Sequence, residues 1–120
     1  MFKTTLSTIS RLFASSFDPA TYTPPQGVPS PTEEHTLELY KFDTCPYCRR
    51  VMRTLNDTGL MHRTTLHDVR KDTKAMEALL ELTQNSQVPC LVISGTPLLE
   101  SKDIKHWLLA YNYHHQDQHT

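Results

Sequence analysis

Short apolar and polar runs alternate with longer helical periods along most of this chain. Between Thr36 and Phe42 the apolar Leu37, Leu39 and Phe42 stand among polar neighbours, the pattern of a short strand. From Pro46 the period lengthens. Cys48, Val51, Met52 and Leu55 fall at i, i+3, i+4 and i+7 while Arg49, Arg50, Arg53 and Asn56 take the opposite face, which predicts a helix opened by Pro46 and stopped by Gly59. Residues 61 to 67 give a weaker strand pattern. Asp72 then caps a helix through Met76, Leu79 and Leu80 to about Thr83. The apolar run Cys90 to Ile93, bounded by Pro89 and by Ser94-Gly95-Thr96-Pro97, resumes at Leu98 and Leu99 as a hairpin. Ser101 is the expected cap of a last helix, whose Ile104, Trp107, Leu108 and Tyr111 repeat the i, i+3, i+4, i+7 spacing. The order is β-α-β-α-β-β-α, an α/β domain.

The ends of the chain read differently. Pro19, Pro24, Pro25, Pro29 and Pro31 with Gly27 remove backbone donors and forbid helix or central strand, so residues 19–32 are expected to be a linker. That places the folded domain at 33–113 and leaves 114–120 as a polar, frayed tail. Residues 1–18 form an amphipathic or disordered N-terminal segment. There Phe2, Leu6, Ile9, Leu12, Phe13 and Phe17 lie within about 140° of a helical wheel, with Arg11 opposite and no acid before Asp18. Such a segment can rest on a membrane surface, serve as an organellar presequence, or pack back on the domain.

Composition narrows the function classes. A 120-residue chain with 38% hydrophobic residues supports one modest core. Its 12 basic and 13 acidic residues give a net charge of -1, so no general attraction to nucleic acid is expected. No run reaches the roughly 18 apolar residues that span a bilayer. The chain is therefore expected to be soluble and cytoplasmic, or membrane-peripheral or organellar if residues 1–17 act as a surface or targeting helix. Three cysteines do not make a disulfide framework; they suit a reducing compartment. Of the seven histidines, His114, His115 and His119 are read as part of a solvated tail, and Trp107 as packing.

Cys45 and Cys48 carry the chemistry. A Cys-x-x-Cys pair can be half a zinc site or a redox couple, but zinc needs a second ligand pair, and only Cys90 and scattered histidines are offered. No metal is expected. Cys45 follows a predicted strand and opens a predicted helix, where unpaired N–H groups and the positive end of the helix dipole favour an anion. Cys48 lies one turn further, on the apolar face. Cys45 is thus the attacking sulfur and Cys48 the resolving one, while Cys90 opens an apolar run and is read as structural.

The sequence Leu39-Tyr40-Lys41-Phe42-Asp43-Thr44-Cys45-Pro46-Tyr47-Cys48, followed by Gln87-Val88-Pro89 and Glu100-Ser101-Lys102-Asp103-Ile104, resembles a dithiol glutaredoxin over about residues 36–111. The resemblance implies a thioredoxin-like (glutaredoxin) fold, a four-stranded mixed sheet flanked by helices. It implies that Pro89 is cis and faces the cysteines, and that Val88 offers its backbone to glutathione like an added strand. It also implies glutathione contacts from Tyr47, Gln87, Glu100 and Ser101, the last two at the γ-glutamyl end. Many glutaredoxins carry a lysine three residues before the first cysteine, where this chain has Phe42. Lys41 should turn to the other face of the strand, so Lys41, Arg49 and Gln87 remain alternatives for the glycine carboxylate. The sequence is similar to glutathione transferase N-terminal domains too, and lacks within its length the helical second domain of that family.

The expected activity is glutathione-dependent reduction of protein disulfides and of glutathionylated proteins by a monomer, glutathione being co-substrate. A glutathione-ligated iron-sulfur cluster module is the alternative, disfavoured by Pro46 and Cys48, since the family's cluster carriers usually have a single active-site cysteine followed by glycine.

Overall fold

A computed structural model describes residues 17–116. It contains strand β1 (Leu37–Lys41), helix α1 (Pro46–Thr58), a single 3-10 turn (Met61–Arg63), β2 (Thr64–Asp68), α2 (Thr73–Thr83), β3 (Cys90–Ile93), β4 (Thr96–Leu98) and α3 (Ser101–His115). The strands form one mixed sheet in the order β2-β1-β3-β4. β1 pairs in parallel with β2 and antiparallel with β3, and β3 pairs antiparallel with β4. This is the thioredoxin-like arrangement. Parallel β1 and β2 need a long crossover, and α1 supplies it.

Strand alternation divides the interior in two. Leu37, Leu39, Leu91 and Ile93 point to one face, where they meet Val51 and Leu55 of α1 and Ile104, Trp107, Leu108 and Tyr111 of α3. Tyr40, Cys90 and Val92 point to the other, against Ala75 and Leu79 of α2. Each fully buried Leu or Ile is worth about 2 kcal/mol against solvent exposure. The central β3 is buried at all four positions, which explains its unbroken apolar sequence.

Several expected boundaries shift. The second strand starts at Thr64 because residues 61–63 make the 3-10 turn, in which the N–H of Arg63 reaches the carbonyl of Leu60 at 3.0 Å. Leu80 of α2 is 43% exposed, since the inward stripe runs through Ala75 and Leu79. Glu100, not Ser101, is the cap residue of α3 and makes no side-chain capping bond; Ser101 is already helical.

The larger corrections concern residues 19–32 and 114–120. The proline-rich stretch is packed along α3 rather than spaced away from it. Trp107 Nε1 donates to the Pro29 carbonyl at 2.9 Å, His115 Nε2 to that of Pro31 at 3.1 Å, and His35 Nε2 to that of Ser30 at 2.8 Å. Pro31 is fully buried, and Tyr22 and Val28 lean on the core. Nor does the tail begin at His114. α3 continues to His115, whose ring is buried and tilts over Tyr111 at 4.2 Å. The expectations for residues 1–16 and for His119 lie outside the described residues.

Candidate active site

β1 delivers the chain to the C-terminal edge of the sheet, and residues 42–44 turn it into α1. Cys45 sits at the N-cap of that helix with extended backbone angles. Its Sγ accepts the N–H of Cys48 at 3.2 Å, doing with sulfur what a serine or aspartate oxygen does at an ordinary cap. Pro46 occupies the first helical position, where a missing N–H costs nothing. Cys48 falls on the buried face and is 1% exposed, against 5% for Cys45. Burial pushes the Cys48 thiol up, and its hydrogen bond to Cys45 adds to that. Cys45 and Cys48 are both free thiols.

Three further pieces converge on this edge. Val88–Pro89 is a cis peptide bond, with Pro89 buried and Val88 packed beside the Tyr40 and Cys90 cluster. Because Tyr40 pairs with Cys90 across β1 and β3, residues 87–89 lie at the same end of the sheet as Cys45. Gln87 Nε2 donates to Glu100 Oε2 at 3.5 Å, joining the loop before β3 to the start of α3. Tyr47 is 55% exposed, and the Arg50 guanidinium lies 5.4 Å above its ring. Six expected residues besides the cysteines are thus gathered: Tyr47, Gln87, Val88, Pro89, Glu100 and Ser101.

Lys41 and Arg49 are engaged elsewhere. Lys41 Nζ is 2.8 Å from Asp43 Oδ1 and 3.6 Å from Asp68 Oδ2, and Arg49 Nε donates to the Asp43 carbonyl at 3.1 Å. Lys71 Nζ adds a second cation to Asp43 at 3.0 Å. The Lys41 hydrogen bond, followed by that from Lys71, holds the Asp43 carboxyl down at about 2. Asp43 is a site residue that sequence reasoning missed. One partner, Lys41, is two residues away, but Lys71 lies 28 residues on, beyond β2, and is brought to Asp43 only by the fold.

Cys90 stands at the start of β3 with no exposed surface, and burial raises its thiol to about 11. Among the described residues, no group of three or more His, Cys, Asp or Glu side chains is placed to hold a metal ion, and no helix is long and apolar enough to cross a membrane.

Comparison with known proteins agrees with this fold. Residues 39–114 match the family model of the glutathione S-transferase N-terminal domain. Among solved structures, oxidized glutaredoxin 2 from Chlamydomonas reinhardtii is similar at a TM-score of 0.52 and 24% identity, over 72% of this chain and 84% of that one. A glutaredoxin from Archaeoglobus fulgidus is similar at a TM-score of 0.50 and 19% identity, over 66% and 94%. Comparison with curated protein sequences gives no match. With its cysteines at the N-terminus of α1 and a family match that runs from Leu39 in β1 to residue 114 in α3, the chain belongs to the glutathione S-transferase N-terminal domain family of thioredoxin folds, and it resembles the glutaredoxins within that fold.

Proposed function

We propose that this protein is a glutathione-dependent thiol-disulfide oxidoreductase acting through Cys45 and Cys48. The observation that carries the reading is the placement of the two sulfurs: one caps a helix with a backbone N–H pointed at it, and the other is buried one turn behind. Cys45 attacks a substrate disulfide as thiolate. The substrate S–S bond breaks, one substrate sulfur leaves as thiolate, and the other remains bonded to Cys45. Cys48 keeps its proton until the Cys45 sulfur is occupied, then attacks it, releases the second substrate sulfur and closes the Cys45–Cys48 disulfide. Two glutathione molecules then reduce that disulfide in succession and depart as oxidised glutathione. Where the substrate is a glutathionylated protein, Cys45 takes the glutathionyl group and a single glutathione releases it.

Glutathione itself would lie along residues 87–89, its backbone pairing with Val88, and its γ-glutamyl carboxylate at the N–H groups opening α3, with Glu100 receiving the α-ammonium. The uncapped Glu100 side chain supports this assignment, since no intrahelical bond ties it down.

A glutathione-coupled assay on wild type, Cys45→Ser and Cys48→Ser tests the proposal. Cys45→Ser is expected to lose reduction of a protein disulfide and of a glutathionylated protein alike; Cys48→Ser is expected to lose mainly the first. Full activity in Cys45→Ser, or equal loss of both reactions in Cys48→Ser, would overturn it.

A further inference from the structure

α1 and α3 both start at the edge of the sheet that holds the cysteines and run down the same face. On their outer side they leave a groove of about 610 Å³. α1 contributes Arg50, Arg53 and Asp57 to it, and α3 contributes Ser101, Lys102 and Lys105. Four permanent cations therefore face one carboxylate, and Asp57 is the farthest of the α1 residues from the cysteines. None of the four is paired with a carboxylate among the described residues, whereas Lys41, Arg63 and Lys71 all are. The concentration is local, since the whole chain carries a net charge of -1.

The groove opens onto the candidate active site. Ser101 belongs to both, and Arg50 lies over the ring of Tyr47, the residue preceding Cys48. The cations stand as two pairs, Arg50 and Arg53 about one turn apart on α1 and Lys102 and Lys105 about one turn apart on α3, and the groove extends beyond them along α1 to Asp57. Arg50 to Asp57 spans about 10 Å of helix, which matches about three residues of extended chain. His106, also on the groove, is held below the ordinary histidine range by burial and then by the charges of Lys102 and Lys105, which the opposing charge of Asp103 only partly offsets. Phe17 stacks on the His106 ring at 4.1 Å beside the groove, and the sixteen residues before it carry Lys3 and Arg11 and no acid, so their charge does not match that of the groove.

We propose that the groove between α1 and α3 docks an acidic, extended segment of a protein substrate, presenting a disulfide next to that segment to Cys45. Substrate choice is thereby set by charge on a surface that adjoins, at Ser101, the one assigned to glutathione. This rests on the oxidoreductase reading above. Rim and groove charges of this kind act on encounter rate and specificity, and they are screened by salt.

Binding and turnover test it separately. A fluorescent peptide of alternating Asp and Glu, without cysteine, is titrated into wild type and into the charge-reversed Arg53→Glu/Lys105→Glu protein at low ionic strength, beside an all-Gln peptide and an oligothymidylate of equal charge. Wild type should bind the acidic peptide at least about ten-fold more tightly than the Gln peptide, and the advantage should vanish in the variant and shrink at about 0.5 M salt. In turnover, a disulfide peptide with acidic flanks should lose its advantage in kcat/KM over a Gln-flanked one in the same variant, with reduction of a small symmetrical disulfide unchanged. Equal binding of the acidic and Gln peptides, an unaffected variant, or tighter binding of the oligothymidylate would overturn the proposal. Loss of small-disulfide reduction in wild type would instead sink the oxidoreductase reading, and leaves the binding result standing as a test of the groove.

Discussion

Cys48 and Cys90 keep their protons for the same reason: each thiolate would sit among apolar side chains with little water to solvate it. Only Cys48 has a sulfur partner, so chemistry separates them where burial does not. For Cys90 the linkage has a definite sign. Its folded value of about 11 lies above the ordinary 9.0, so between those values the unfolded chain gives up a proton that the folded protein retains. Stability from this residue is complete below pH 9 and declines as pH rises toward 11. Cys90→Ala should accordingly flatten the fall in thermal midpoint across that window while keeping both activities within a few-fold, apart from about 1 kcal/mol lost to a small cavity. A wild-type midpoint that falls no faster than the variant's would show that Cys90 ionises as easily folded as unfolded. The placements of Cys45 at the start of α1, Cys48 on its buried face and Cys90 in a buried strand were legible from spacing and neighbours. Asp43 was not, because the second of its two lysines, Lys71, lies 28 residues on and only the fold brings it near.

Elements were legible where periodicity and punctuation agreed. α1 is the clearest case, with proline at its first position, an apolar stripe, and Gly59 at its end. Gly59 adopts φ 76°, the left-handed conformation, and its N–H returns to the carbonyls of Leu55 and Asn56. A Cβ there would meet nothing within 4 Å, so its cost is purely one of backbone conformation. Gly59→Ala is therefore expected to lower stability by about 1 kcal/mol in urea denaturation with an unchanged m-value. No loss would mean that the end of α1 frays without its cap. α3 was less legible at its start, since Ser101 and Glu100 are adjacent and either could cap. Serine has the higher capping preference, yet the backbone turns helical one residue early and leaves Glu100 with a side chain free of intrahelical duty. That misreading matters for the site, because Glu100 is the residue facing Gln87.

At the scale of the molecule, the proline-rich segment shows what composition conceals. Proline has no N–H but retains its carbonyl, so a run of prolines offers acceptors with few donors of its own to satisfy. α3 presents a row of ring donors and hydroxyls at matching positions: Trp107 meets Pro29, His115 meets Pro31, and the Tyr111 hydroxyl accepts the N–H of His35 at 3.2 Å. Trp107 and Tyr111 stack at 4.9 Å and so hold the donors in register. The aromatic stripe was visible in the sequence, but its partner was not, since nothing local pairs residues that lie 76 to 84 positions apart. A truncation removing residues 1–31 should then leave Trp107 Nε1 and His115 Nε2 without acceptors and uncover the core surface under Tyr22 and Val28. The expected cost is about 2–4 kcal/mol, seen as a lower urea midpoint. Trp107→Phe removes one of these bonds and should cost about 1 kcal/mol in the full-length chain, but markedly less in the truncated one, where the acceptor is already gone. That non-additivity is the specific signature of docking. A truncated protein with the full-length midpoint, or a Trp107→Phe cost that is the same in both backgrounds, would show that residues 18–31 add nothing to the stability of the domain.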